Sequence, residues 1–166
     1  MNDRRKPNPQ QVARAGEHLV AAEIHRRGAY AVTFAGNMPK IDVIASDKVQ
    51  NRSVTIQVKT KSGSSPGWQT QTTRGQQRSP DPEESRFWIL VDLDEIGSTP
   101  SYYIIPEWWM QNDIYEAHQA YLNQHGGSRP VTQASKHHKI ERRRVEQWRD
   151  RWDLLGVFAD ETNAPD

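Results

Sequence analysis

The chain of 166 residues contains no cysteine, which excludes disulfides, zinc sites built from thiolates and catalysis by a thiol. It also has no run of about eighteen apolar residues, the length that a membrane-spanning helix needs. No apolar stretch follows the basic N-terminus, so no signal peptide is expected. Together these absences predict a cytoplasmic protein without a membrane segment.

An excess of charge of one sign is also missing. The chain has 22 lysines and arginines against 21 aspartates and glutamates, and its formal net charge is +1. Binding of nucleic acid depends on local basic patches more than on totals, so this balance neither favours nor excludes it. The 34% hydrophobic and 26% charged residues are typical of a globular domain with its own core.

Apolar periodicity and turn residues predict an ordered series of helices and strands. The series is a helix at 11–27, strands at 30–34, 41–45, 54–60, 87–93 and 102–105, and helices at 107–123 and 140–155. The segment 61–85 is polar and punctuated by glycine and proline, which predicts a long loop that forms a mobile or extended connection. Residues 1–10 and 158–166 are predicted to be disordered tails. The order favours an α/β fold, with a mixed sheet in a core at 11–106 and helices of 107–157 packed on it.

Polar side chains interrupt the second and third predicted strands. Asp42 lies in the second strand, and Gln57 and Lys59 lie two residues apart in the third, so the latter two point to the same face. If these strands pair, Asp42 meets that face near one end of the sheet. Any half-exposed strand shows a similar alternation, so a solvated sheet face also explains these residues.

The segment from Glu17 to Lys59 resembles the PD-(D/E)xK nuclease superfamily, which includes archaeal Holliday-junction resolvases and type IV restriction nucleases. In that pattern a helix carries a glutamate and ends at a glycine, an aspartate opens the second strand, and the third strand carries Glu/Gln-x-Lys. The matching residues are Glu17, Gly28, Asp42 and Gln57-Val58-Lys59. The resemblance implies a restriction-endonuclease-like αβββαβ core with an added C-terminal helical part.

The same resemblance implies an endonuclease that hydrolyses phosphodiester bonds of duplex or branched DNA with Mg²⁺ or Mn²⁺, and a homodimer is compatible with it. The implied metal ligands are Asp42, the Gln57 side chain, the Val58 carbonyl and Glu17. Lys59 would orient the attacking water or neutralise charge on the phosphate.

Two features depart from the family pattern. The proline expected directly before the aspartate is absent, because Pro39 comes three residues before Asp42. Gln57 replaces an acidic residue, which removes one negative charge and predicts weaker metal binding. This change keeps a second hypothesis open, a catalytically degenerate module that binds DNA or protein in a restriction, defence or repair complex. Glu23 also remains an alternative to Glu17, because a helical wheel places it closer to the centre of the apolar stripe.

Three further features carry their own expectations. The His137-His138 cluster is predicted to be a solvated start of the last helix rather than a phosphate contact, and Trp148 and Trp152 are predicted to pack that helix onto the sheet. Trp68 stands alone in the polar loop, where stacking on a base and pinning the loop are equal alternatives. The mixed charge and the tryptophan-rich C-terminal part support a third hypothesis, a structural interaction domain unrelated to nucleases.

Overall fold

The computed structural model describes residues 6–36, 38–127 and 136–158. In chain order its main elements are α1 (Pro9–Arg26), β1 (Tyr30–Thr33), β2 (Val43–Ser46), β3 (Ser53–Lys61), β4 (Gly67–Gln71), β5 (Arg86–Asp92), β6 (Ser101–Pro106), α2 (Glu107–Gln124), β7 (His137–Glu141) and α3 (Arg142–Val145). Short 3₁₀ helices lie at Thr72–Arg74, Glu146–Trp148 and Trp152–Leu155. In these described ranges no helix combines the length and apolar character that crossing a bilayer requires.

Five strands form one mixed sheet in the order β1-β2-β3-β5-β6. β3 and β5 are parallel, and the other neighbours are antiparallel. The remaining strands, β4 and β7, pair with each other in a separate antiparallel ribbon. The predicted α/β fold with a mixed central sheet flanked by helices is therefore confirmed, although strand β4 and a single 3₁₀ turn, rather than an α-helix, make the crossover from β3 to β5.

The two faces of the sheet bury different cores because the side chains of each strand alternate. On one face, Val20 and Ile24 of α1 pack on apolar residues of β2 and β3 such as Val43 and Ile56. On the other face, α2 and the β4–β7 ribbon cover Trp88 and its neighbours in β5 and β6. Each face is thus closed by a helix, and the ribbon covers part of the second face only.

α1 begins earlier than the apolar pattern predicts. Asn8 caps the helix, since its side chain accepts the N–H of Gln11 at 2.9 Å and its own N–H donates to the Gln11 side chain. Pro9 follows as the first helical residue, where its missing N–H costs nothing. Residues 9 and 10 are therefore helical and not part of a disordered tail, while 1–5 and 159–166 lie outside the described residues.

The prediction of one polar loop at 61–85 is wrong. Lys61 ends β3, and the segment then contains β4 and a 3₁₀ turn. Trp68 is buried, with its Nε1 donating to the carbonyl oxygen of Val91 at 2.8 Å. Of the two alternatives for Trp68, the structure shows the second, because the indole pins this segment to the sheet.

The predicted helix at 140–155 is also wrong. Residues 137–141 form β7, and the following α3 and 3₁₀ turns are separated at Asp150, which has a positive φ of 53°. Asp150 donates its N–H to the carbonyl oxygen of Tyr102, so the chain bends here to bond β6. Trp148 and Trp152 still pack on the protein interior, Trp152 against Tyr102 and Trp148 against Trp109, but from separate turns.

Candidate functional site

Asp42 lies directly before β2, at the point where the pairing of β2 with β3 ends. Its backbone N–H donates to the carbonyl oxygen of Ile56 at 2.9 Å and extends the ladder by one residue. Its carboxylate turns to β3, where Oδ2 accepts the N–H of Val58 at 2.7 Å. Because backbone N–H groups of a strand lie in the plane of the sheet, the carboxylate lies between the two faces and beside the Gln57–Lys59 segment.

Gln57 and Lys59 project from the face of β3 that is opposite to α1. The intervening Val58, like Ile56, is buried in the core beneath α1. Gln57 Oε1 accepts a hydrogen bond from Nη2 of Arg74 at 2.6 Å. Lys59 has no side-chain hydrogen bond or ion pair with any residue that the structure describes. On this face of β3, the Gln57 amide is therefore hydrogen-bonded to Arg74, and the Lys59 ammonium group can bind a ligand.

Lys59 borders two open pockets. One, of about 380 Å³, is lined by Gln57, Lys59, Gln69, Thr70, Gln71, Arg74 and His137. The other, of about 430 Å³, lies toward the start of α1 and is bordered by Val12, Lys59 and Gln69 among others. Since both pockets share Lys59 and Gln69, they form a continuous groove that passes the lysine, with β4 as one wall.

Glu17 reaches the same end of the sheet from α1. α1 approaches β3 closely at the preceding residue, because a Cβ on Gly16 would lie 1.9 Å from Thr60 Oγ1. Glu17 Oε2 accepts Nη1 of Arg14 at 2.7 Å, and the same Nη1 donates to the carbonyl oxygen of Phe34 at 3.2 Å. Phe34 in turn donates its N–H to the carbonyl oxygen of Asp42 at 3.4 Å. A short chain of hydrogen bonds thus connects Glu17 with Asp42.

Glu23, the alternative helix carboxylate, lies elsewhere. It pairs with Arg26 at 2.6 Å and with Arg27 at 3.6 Å, two turns further along α1. Burial raises the pKa of Tyr102 on β6, and the nearby Glu23 carboxylate raises it further. Glu23 is therefore near Tyr102 of the edge strand β6, and β6 is separated from β2 by β3 and β5. Of the two glutamates, the structure brings Glu17 to the end of the sheet where Asp42 lies.

Arg74 is a member of the site that the sequence analysis missed. Its guanidinium lies 5.1 Å from the ring centre of Trp88, and Nη2 lies 3.8 Å from Glu107 Oε1. Burial lowers the pKa of Arg74, and Glu107 raises it in part. An arginine stays charged at neutral pH all the same, so the site holds a fixed cation next to Gln57. Sequence reasoning placed this residue in a loop, and its neighbours in the chain carry no signal of its position.

The residues at this end of the sheet offer oxygen ligands only. Asp42 and Glu17 each keep one carboxylate oxygen without a hydrogen-bond partner in the described part of the chain. No group of three or more histidine, aspartate or glutamate side chains suited to a metal occurs there. Mg²⁺ is commonly held by one or two carboxylates, with water and substrate phosphate as further ligands, so the donor set fits this ion. The Arg74 cation beside Gln57 counts against tight binding.

The histidine cluster takes a different form from the predicted one. His137 and His138 lie in β7 and not at the start of a helix. His137 is exposed and lines the pocket that contains Lys59, which brings this part of the chain to the candidate site. No local pattern in residues 137–141 signals this position, because the strand pairs with β4, which is remote in the chain.

No protein-family model matches the chain, and no curated protein matches it by sequence. Two solved structures are similar to it in fold. The bacterial homing endonuclease I-Ssp6803I is 13% identical, with 91% of this chain and 94% of that chain covered and a TM-score of 0.49. Hjc, a Holliday junction resolvase from Archaeoglobus fulgidus, is 12% identical, with coverages of 89% and 98% and a TM-score of 0.48.

Proposed function

We propose that this chain is a metal-dependent endonuclease that hydrolyses phosphodiester bonds of DNA. The observation that carries the proposal is the hydrogen bond from the Val58 N–H to the Asp42 carboxylate. It holds an acidic group against the short segment of β3 that also presents Gln57 and Lys59 to an open groove. A sheet face that was merely solvated gives no reason for an aspartate carboxylate bonded to this segment, whereas the resemblance to PD-(D/E)xK nucleases predicts one there.

In this proposal the metal ligands are the Asp42 carboxylate, the Val58 carbonyl, the Gln57 amide oxygen and the Glu17 carboxylate. Bound Mg²⁺ or Mn²⁺ would supply Lewis-acid polarisation of the phosphate and a lowered pKa of the attacking water. Asp42 contributes the full negative charge nearest to β3. Gln57 contributes an oxygen without charge, and Arg74 occupies part of its hydrogen-bonding capacity.

Two cations of the chain would act on the phosphate directly. Lys59 extends into the groove without a described partner, so its ammonium group can neutralise charge that develops on the phosphate oxygens. Arg74 is held in place by Glu107 and Trp88, and its remaining N–H groups can orient a phosphate next to Gln57. DNA, duplex or branched, is the proposed partner, and a homodimer would supply one such site for each strand of a duplex.

The test is cleavage of supercoiled plasmid and of branched oligonucleotides with Mg²⁺ or Mn²⁺, with a chelator as the negative control. Asp42→Asn keeps an oxygen that can accept the Val58 N–H but removes the charge, so cleavage should fall by at least about 100-fold. Asp153→Asn changes an exposed aspartate that pairs only with Arg151, and it should cleave like the wild type. Undiminished cleavage by Asp42→Asn would overturn the assignment.

A matched pair of variants tests the helix carboxylate in the same assay. Glu17→Gln should reduce cleavage, because it removes a charge from the end of the sheet where Asp42 lies. Glu23→Gln should leave cleavage unchanged, since this residue is paired with arginines and faces β6. The reverse result would assign the role to Glu23.

The hydrogen bond from Arg74 to Gln57 supports a second candidate function, a nuclease-like module that binds DNA without cutting it. The guanidinium is 2.6 Å from the oxygen of Gln57, the residue that replaces the acidic one of the family pattern, so its positive charge opposes a metal cation at that oxygen. Such a module should show no measurable affinity for Mg²⁺ or Mn²⁺ in a calorimetric titration. Wild-type protein that binds DNA but neither binds the metal nor cuts would favour this candidate.

A further inference from the structure

The β4–β7 ribbon is a two-stranded element packed on the sheet next to the candidate site. Trp68 and Ile140 face each other across the ribbon and are both buried beneath it. The Trp68 indole bonds the carbonyl oxygen of Val91 and packs edge-on against Tyr103 at 5.4 Å. Gly67 allows the strands to approach closely, because a Cβ there would lie 2.3 Å from the Ile140 carbonyl oxygen. The ribbon is therefore held firmly in one orientation on the sheet.

The outward face of the ribbon carries amides and bases. Gln69 lies directly across from Lys139, and Gln71 lies across from His137. All four side chains are exposed. The one acidic residue of the ribbon, Glu141, is paired with Arg143 at 2.6 Å. In the described part of this element, no acidic side chain is left to repel a phosphate backbone.

This outward face is continuous with the candidate site. Gln69, Gln71 and His137 line the same open pocket as Gln57 and Lys59. A nucleic acid whose phosphate lies at Lys59 would therefore also contact the ribbon. The ribbon is attached through Trp68 to the strand next to β3, so the distance between the two sets of residues is fixed.

We propose that the β4–β7 ribbon enters the major groove of duplex DNA and that Gln69 and Lys139 contact base edges there, which makes DNA binding sequence-selective. This inference rests on the proposed function for the choice of DNA as partner. The major groove of B-form DNA, about 12 Å wide, admits a two-stranded ribbon. Glutamine pairs with the N7 acceptor and the N6 donor of adenine, and lysine donates to the N7 and O6 acceptors of guanine. The deep, narrow major groove of an RNA duplex does not admit such an element.

The experiment selects bound molecules from a random-sequence duplex DNA library in a chelating buffer, where no metal-dependent cleavage occurs. Wild-type protein should enrich a short sequence. Gln69→Ala should lower the preference for that sequence over a shuffled one by roughly 5- to 100-fold, the range for the loss of one paired base contact. Its affinity for the shuffled duplex should change by less than about threefold, since the backbone contacts remain.

Matched variants control for indirect effects. Gln124→Ala changes an exposed glutamine at the end of α2, and Lys48→Ala changes an exposed lysine in the β2–β3 turn, so both should keep the wild-type preference. Lys139→Ala provides a second ribbon variant if thermal unfolding shows that Gln69→Ala is not folded. A duplex RNA of the same sequence should compete at least about tenfold more weakly than the DNA.

Three results would overturn the inference. The first is that the wild-type protein enriches no sequence. The second is that both Gln69→Ala and Lys139→Ala keep the wild-type preference for the enriched sequence. The third is that the RNA duplex competes as strongly as the DNA duplex. Cleavage of plasmid without sequence enrichment would refute the ribbon inference and leave the proposed function intact. Enrichment that depends on Gln69, without cleavage, would refute the endonuclease and leave the ribbon inference standing.

Discussion

β3 carries two lysines two residues apart on one face, and their surroundings differ. Lys61 is 8% exposed, its Nζ lies 2.5 Å from Asp92 Oδ2, and it lies over the Trp68 ring at 5.3 Å. Lys59 has no described partner and borders two open pockets. The ribbon makes the difference, because Trp68 covers Lys61 whereas the exposed Gln69 stands beside Lys59. This face of β3 is thus covered by the ribbon at Lys61, its closed end, and open to solvent at Lys59, its open end.

The aspartates next to these lysines differ in the same way. Asp92 is buried, pairs with Lys61 and lies 3.7 Å from Arg142. Asp42 accepts one backbone N–H and keeps its other oxygen without a described partner. Charges that the protein neutralises internally serve stability, while charges that it leaves open can bind a metal and a phosphate. This contrast makes Lys59 and Asp42, rather than Lys61 and Asp92, the candidates for binding a phosphate and a metal.

The largest effect on stability should come from the closed end. Lys61→Met keeps the length of the side chain but leaves the buried Asp92 with the more distant Arg142 as its one described cation. The free energy of unfolding should therefore fall by about 3 kcal/mol. Urea denaturation followed by tryptophan fluorescence measures the change. Lys48→Met, at an exposed turn, is the control and should stay within about 0.5 kcal/mol of the wild type. A loss below about 1 kcal/mol for Lys61→Met would show that the pair is not a stabilising contact.

At the open end, substitution of Lys59 should reduce activity and leave stability unchanged. If the proposed function holds, Lys59→Met should lower DNA cleavage by about 100-fold, because it removes the positive charge proposed to neutralise the phosphate. Its unfolding free energy should stay within about 0.5 kcal/mol of the wild type, since no described contact is lost. Lys59→Arg should recover part of the activity. Full activity in Lys59→Met, or destabilisation like that of Lys61→Met, would remove the distinction between the two lysines.

A smaller effect is expected at Gln57. Gln57→Glu adds a negative charge to the proposed ligand set, so affinity for Mg²⁺ should rise by roughly tenfold. Arg74 limits the gain, because its guanidinium already bonds Oε1 of residue 57 and would pair with the new carboxylate. Calorimetric titration with Mg²⁺ measures the change, and Gln124→Glu controls for added charge. An unchanged or lowered affinity would place the metal ligands elsewhere.

Local sequence patterns predicted α1 and strands β1, β2 and β3. In each of these elements the spacing of apolar residues along the chain matches the face that is buried. The same patterns failed for β4, whose partner β7 begins 66 residues after β4 ends in the chain, so its strand character depends on a remote pairing. The failure at 140–155 has another cause. Val145, Trp148, Trp152 and Leu155 recur at helical spacing, but a left-handed residue at Asp150 and a bond to β6 interrupt the helix.

Some residues of the candidate site could likewise be predicted from the sequence, and others could not. Asp42, Gln57 and Lys59 could be predicted, because they lie on strands that are adjacent in the sequence and a known motif connects them. Arg74 and Gln69 could not, since the crossover and the ribbon bring them to the groove from a segment with loop-like composition. The resemblance favours Glu17 over Glu23 as the helix carboxylate. The structure adds which strand each residue meets, which a helical wheel does not give.

The most direct test of the central claim is an NMR titration with Mg²⁺ that follows the backbone amide of Val58. This N–H bonds the Asp42 carboxylate, so a metal held by Asp42 must change its chemical shift. A metal bound at Asp42 should give a saturable shift that is largest at Val58 and its neighbours Asp42 and Gln57, and that is lost in Asp42→Asn. No shift at Val58, or a larger shift at the acidic turn of residues 81–84, would contradict the proposed metal site.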